Sequence, residues 1–174
     1  LFDKETYTAR RDRLKRQVKE GLILLFGNND APSNYPPTYT NTGKTAVFFI
    51  FTDNTAKDRG VIDIDNHKEY LIGNDIDIED IVWFGAVDSV ADLAAQSGVE
   101  HSAPMNRLEE LITQARTQGR KIHFLPPYRH DQMIQLMDLT GNILHGNARS
   151  TLELIMAVID QRAVKTPAEI EEIE

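Results

Sequence analysis

Five histidines, at His67, His101, His123, His130 and His145, and the acidic run D-I-D-N-H-K-E-Y-L-I-G-N-D-I-D-I-E-D-I from Asp63 to Ile81 carry the donors that could hold a metal ion. A helical zinc site needs paired histidines at helical spacing, as in H-E-x-x-H, and none of the five is paired in that way. A calcium loop opening at Asp63 or Asp75 needs Gly at its sixth position and Glu at its twelfth, and neither register supplies them. The plainer reading treats the acids as solvated charge. Asp63 and Asp65 alternate with apolar residues and so share one face of a strand, while Asp77, Glu79 and Asp80 favour a helix N-terminus. G-K-T at Gly43–Thr45 has the look of a phosphate-loop ending. The motif requires a glycine where Thr38 stands, however, and a helix where a β run follows. With no cysteine and no G-x-S-x-G, no nucleophile is signalled, and the chain reads as a scaffold or accessory.

Two segments invite a functional reading beside a structural one. The only tryptophan, Trp83, stands in D-I-V-W-F-G, where it is either a core residue or an interface anchor. In H-F-L-P-P-Y-R, from His123 to Arg129, two prolines follow a strand and fix the direction of Tyr128 and Arg129; the structural alternative is a rigid strand exit.

Elements to position these residues are legible along the chain. Phe2–Glu20 has helical character, with Tyr7, Leu14 and Val18 on a charged stretch, and predicts a surface helix ended by Gly21. The apolar run Leu22–Phe26 predicts a buried strand, and proline-rich Asn28–Lys44 a long loop. Strands are expected at Thr45–Thr52, Gly60–Asp65 and Glu69–Ile72, joined by turns short enough for antiparallel hairpins. Short helices follow at Asp77–Ile81 and Ser89–Gln96, then a strand at Val99–Ser102, a helix at Pro104–Gln118 and a strand at Lys121–Leu125. Gln132–Leu139 and Ser150–Arg162 read as helices. Thr166, Pro167 and Glu169 compose a capping box opening a further helix, and only about two turns remain after it. Helices alternating with strands around a central meander predict an α/β fold, a mixed β-sheet flanked by helices.

At 174 residues the chain suits one domain plus a linker. Its net charge of −8, with basic residues concentrated near the start, argues against a nucleic-acid partner. Apolar runs such as T-A-V-F-F-I-F-T are far shorter than the ~20 residues of a membrane span, and the lack of cysteine fits a reducing, cytoplasmic setting.

Taken in order, Y-T-A-R-R-D-R-L, L-L-F-G-N-N-D-A-P-S-N-Y, D-I-E-D-I-V-W-F-G and R-A-V-K-T-P-A-E-I resemble the N-terminal domain of Xaa-Pro aminopeptidases, the creatinase and prolidase N-terminal domain. H-F-L-P-P-Y-R is similar to the bacterial branch of that family. The resemblance implies a domain at 1–163 and, at 164–174, the start of a linker helix to a C-terminal metallopeptidase domain of pita-bread fold. There the family holds two divalent metal ions, commonly manganese, on two Asp, one His and two Glu. No metal ligand or catalytic residue is thereby assigned to this chain, which is expected to be inactive alone. Further implications are a role in homo-oligomer assembly and in gating peptides with proline at the second position. Trp83 matches the family tryptophan that reaches toward a substrate pocket. The family's Arg and Gln before the second strand are replaced by Thr42 and Gly43 in N-T-G-K-T, Asn41–Thr45, which sets that loop apart. Two alternatives remain: a noncatalytic peptide- or protein-binding module of the same fold, and the N-domain of a prolidase or creatinase.

Overall fold

The computed structural model describes residues 2–28, 31–32, 39–40, 58–75, 85, 88–141 and 151–173. Helix α1, Lys4–Val18, starts where the Asp3 carboxylate accepts the Thr6 N–H at 2.7 Å. Its buried stripe is Tyr7, Arg11, Leu14 and Val18. Three of those positions are apolar, as the sequence led us to expect, and the fourth is a charge.

The chain turns through Lys19 and Gly21, both at positive φ, into β1, Leu22–Phe26. Gly21 is needed for a second reason: a Cβ there would lie 2.6 Å from the Lys121 carbonyl and 2.8 Å from the His123 ring. The proline-rich stretch is not wholly loop, since β2, Ala31–Pro32, pairs antiparallel with β3, Tyr39–Thr40. The strand expected at Thr45–Thr52 and the helix at Asp77–Ile81 lie outside the described residues. Next come β4, Arg59–Asp63, and β5, Lys68–Ile72, paired antiparallel through a tight turn in which His67 takes φ 54°. Helix α2, Val90–Gln96, leads to β6, His101–Ala103; α3, Asn106–Thr117, leads to β7, Ile122–Phe124. Three helices complete the chain: α4, His130–Thr140; α5, Leu152–Ala163; and α6, Pro167–Ile173.

Among the described residues the main sheet has five strands in the order β6-β5-β4-β1-β7, antiparallel in the middle and parallel at both outer pairs. Period-two alternation splits its side chains between two cores. Ile23, Leu25, Ile62 and Leu71 pack with Leu14 and Val18 of α1, Leu93 of α2 and Leu154 and Val158 of α5. Leu22, Leu24, Val61, Tyr70 and Ile72 pack with Leu108, Leu111 and Ile112 of α3 and Leu136 of α4. Helices on both faces explain why β1 reads as an unbroken apolar run rather than an alternating one.

Candidate functional site

Trp83 and the Asn41–Thr45 departure both lie outside the described residues, as do Gly43–Thr45 of the phosphate-like motif and His145. The anchors on either side of the tryptophan segment are nevertheless defined. Strand β5 is followed by Gly73, whose N–H donates to the Ala103 carbonyl at 3.0 Å. Asn74 Oδ1 accepts the Met105 N–H at 3.2 Å, and Asp75 Oδ1 accepts the Val90 N–H at 2.7 Å. At the far end Ser89 and Asp92 form a reciprocal capping box on α2. Asp75 and Val90, fifteen positions apart, are thus joined by one hydrogen bond. Gly85, two residues after Trp83, has φ 78°, a conformation that glycine takes without steric cost.

That anchor lies at the carboxyl ends of the adjacent parallel strands β5 and β6. An open depression of about 240 Å³ is found there, lined by Gly73, Asn74, Asp75, Val90, Ser102 and Pro104 among others. Gly73 cannot be replaced lightly, because a Cβ would come within 2.0 Å of Asp58 Oδ1.

The acidic strand residues do not stand as free charge. Asp63 is buried and paired with the Arg120 guanidinium, while its Oδ2 accepts from Asn66 Nδ2 at 2.8 Å. Asp65 takes Arg120 Nε at 2.6 Å and the Gly21 N–H at 3.0 Å. The Gly21 N–H, then Arg120, hold the Asp65 carboxyl below its ordinary range. This corrects the expectation of solvated charge for Asp63: the cation that neutralises it comes from a turn 57 residues further on. Among the described residues no group of three or more His, Asp or Glu side chains is placed to hold a metal ion.

The P-P-Y-R exit is satisfied locally. Tyr128 keeps its ring exposed, and its hydroxyl meets the buried Asn28, whose Nδ2 donates at 2.9 Å. Gln132 Nε2 donates to Asn28 Oδ1 at 3.0 Å, and Arg129 Nε pairs with Asp131 at 2.9 Å. These contacts fit a rigid strand exit. His123, at the start of the same motif, is buried between two helix ends. Its Nε2 lies 2.9 Å from the Glu20 carbonyl, which can only accept, so Nε2 carries the proton; Nδ1 then accepts from the Thr151 hydroxyl at 2.7 Å. Burial pushes the His123 pKa down. His101 stacks on Tyr70 at 5.2 Å, and His130 opens α4, so the described histidines are scattered through separate structural roles.

One charged centre escaped the sequence reading. Arg11, fully buried, donates from Nε to Glu69 at 2.7 Å and from its two terminal nitrogens to the carbonyls of Ser97 at 2.9 Å and Gly98 at 2.8 Å. It fastens α1 to β5 and to the C-terminal end of α2. The signal available in the sequence was its position, in register with Tyr7, Leu14 and Val18 on one helix face.

Sheet and layers together define an α/β domain, a mixed sheet with helices on both faces, in which the exit of β5 is hydrogen-bonded to the start of α2. The chain belongs to the aminopeptidase P N-terminal domain family, whose model matches residues 7–123. Among solved structures it is similar to Pseudomonas aeruginosa aminopeptidase PepP, with TM-score 0.78 and 16% identity over 98% of this chain and 40% of that one. It is also similar to the low-pH form of Escherichia coli aminopeptidase P, with TM-score 0.72 and 16% identity over 98% and 41%. At such identity the likeness is one of fold, and the chain spans well under half the length of either enzyme. A comparison with curated protein sequences gave no significant match.

Proposed function

We propose that this chain is the N-terminal accessory domain of a metal-dependent Xaa-Pro aminopeptidase, contributing oligomer assembly and substrate gating for removal of a residue that precedes proline. The observation that carries the reading is the family match over residues 7–123. In this reading residues 1–163 form the domain and 164–174 begin the linker to a C-terminal catalytic domain. That domain supplies the two divalent ions, manganese by preference, and with them a hydroxide near neutral pH. The enzyme works in the cytoplasm on peptides with proline second.

Trp83 is the gating residue in this account. Support for the role comes from the Asp75–Val90 hydrogen bond, which joins two positions that flank the tryptophan in the sequence. Seven residues join Trp83 to Val90, so covalent geometry keeps it within about 25 Å of that anchor. An indole so tethered gives a substrate an apolar wall and one N–H donor.

The test begins with the reading frame beyond Glu174, which should encode two Asp, one His and two Glu in metallopeptidase order. In the enzyme so encoded, Trp83→Ala is expected to raise KM for Xaa-Pro peptides while the metal content stays unchanged. A frame without the five ligands removes the catalytic reading and favours a peptide-binding module. An unchanged KM removes Trp83 from the gate.

A further inference from the structure

The connections that leave β5 and β6 part to opposite faces of the sheet. From β5 the chain passes to α2, whose Val90, Leu93 and Ala94 pack in the core shared with α1. From β6 it passes to α3, whose Leu108, Leu111 and Ile112 pack in the other core. The two strands are parallel neighbours, so their carboxyl ends form a topological switch point, the place where open α/β sheets leave a crevice for ligands. The depression of about 240 Å³ lies at that point.

The chemistry of the lining selects the ligand. Asp75 gives one carboxylate oxygen to the Val90 N–H and presents the other with no partner among the described residues. Asn74 accepts the Met105 N–H through its oxygen, which leaves its amide nitrogen as a donor. Ser102 pairs with Leu71 in the ladder, and paired residues share a face, so its side chain lies on the α2 side of the sheet. Val90, Ala91 and Pro104 supply a short apolar wall. No Lys, Arg or His is among the lining residues, and the buried Asp58 carboxylate lies against Gly73. An anion is disfavoured there, because the helix amides that would attract one are already taken, Val90 N–H by Asp75 and Asp92 N–H by Ser89.

We propose that this crevice binds a small organic ammonium compound that carries a hydroxyl or carboxamide beside its amino group. The ammonium pairs with the open oxygen of Asp75 and with the Ser102 hydroxyl, and the neighbouring oxygen accepts from Asn74. A short apolar stem lies along Val90 and Pro104. Volume sets the size, since 240 Å³ falls below the ~300–1,000 Å³ of pockets for drug-sized ligands. Such a site needs nothing from the peptidase reading, because every group in it belongs to the described residues of this chain.

Titration of the 15N-labelled 174-residue chain with L-alaninamide, followed by amide chemical shifts, tests the proposal. At about pH 6.5 the α-ammonium of the probe, with a pKa near ~8, is charged. The Gly73, Val90 and Ala103 amides should shift along one saturating curve with Kd about 5 mM, an ordinary affinity per atom for so small a ligand. Ile122, on β7 at the far edge of the sheet, should not move. Lactamide, with a hydroxyl in place of the ammonium, should bind about tenfold more weakly, and isopropylamine, without the carboxamide, severalfold more weakly. Asp75→Asn keeps an oxygen for the Val90 N–H but drops the charge, and should raise Kd about tenfold. Ala91→Leu fills the depression from an exposed helix position and should abolish the curve; leucine is a good helix former, so Tm should hold, and this variant decides if Asp75→Asn loses its fold. No saturation by about 50 mM, tenfold beyond the expected Kd, would overturn the assignment. So would lactamide or isopropylamine binding as tightly as alaninamide, inorganic phosphate moving the same amides, or an unchanged Kd in either folded variant. Xaa-Pro cleavage by the product of the whole reading frame reads the enzymatic proposal separately.

Discussion

Arg11→Met removes a buried guanidinium while keeping most of its apolar stem, and it should be the costliest single change on α1. Three acceptors lose their donor: Glu69 Oε2 and the carbonyls of Ser97 and Gly98. Breaking a buried ion pair from one side costs about 3–5 kcal/mol, chiefly through the charge left behind. Glu69 is not left alone, since Lys15 Nζ holds its other oxygen at 2.8 Å, which places the ion-pair part at or below the bottom of that range. A stranded buried carbonyl adds on the order of 1 kcal/mol, and Ser97 is buried. The sum is about 3–4 kcal/mol, a large part of a domain's ~5–15 kcal/mol. For a domain of this size it corresponds to a fall in Tm of roughly 6–16 °C. Urea unfolding followed by far-UV circular dichroism measures it, with the midpoint lowered and the slope unchanged. Arg11→Lys keeps the charge and loses the fork, so it should fall between the two. A loss below about 1 kcal/mol for Arg11→Met, or full stability in Arg11→Lys, would refute the claim that this guanidinium ties α1 to α2.

Three further outcomes follow from single contacts. His123 has a folded pKa below its ordinary 6.5, so the unfolded chain binds more protons between those two values; stability should be complete above pH 6.5 and decline as pH falls beneath it, a slope that His123→Asn should lack in pH-dependent urea titrations. Gly73→Ala forces a methyl against the Asp58 carboxylate and should lower stability by about 1–3 kcal/mol in thermal unfolding, whereas Gly119→Ala, with open space around it, carries only its positive-φ strain, about 1 kcal/mol. In Glu169→Ala the capping box and the Arg10 tie both disappear, and hydrogen exchange at the Ile170 amide should quicken severalfold, matching a lost cap of about 1 kcal/mol.

Local signals in the sequence were enough for much of the fold. An apolar run of strand length marked β1, the short N-H-K turn marked the β4–β5 hairpin, and T-P-A-E marked the start of α6, where the capping box is found as expected. The strand order was not legible, because β1 pairs with β4 on one side and with the distant β7 on the other, and nothing local encodes either choice. Arg11 was missed and Asp63 misread for a related reason. Each is a charge on a face that becomes buried, and its ion-pair partner lies far away along the chain, 58 positions for Arg11 and 57 for Asp63. Charge alone suggests solvent; only the assembled sheet shows the partner.

Of the candidate site, Trp83 stood out by type and motif and lies outside the described residues. The Asp75–Val90 hydrogen bond could not have been foreseen, since an aspartate after a strand carries no sign of which N–H it will take. Residues that touch only through tertiary structure leave little trace in sequence spacing.

The central claim, that this is the accessory domain of an Xaa-Pro aminopeptidase, is tested most directly by hydrolysis of an Xaa-Pro peptide. The assay compares the purified 174-residue chain with the product of its whole reading frame, each with manganese and with a chelator. The account predicts no turnover by the short chain under either condition and chelator-sensitive release of the first residue by the longer protein. Cleavage by the short chain, or none by the long one with metal present, would contradict it.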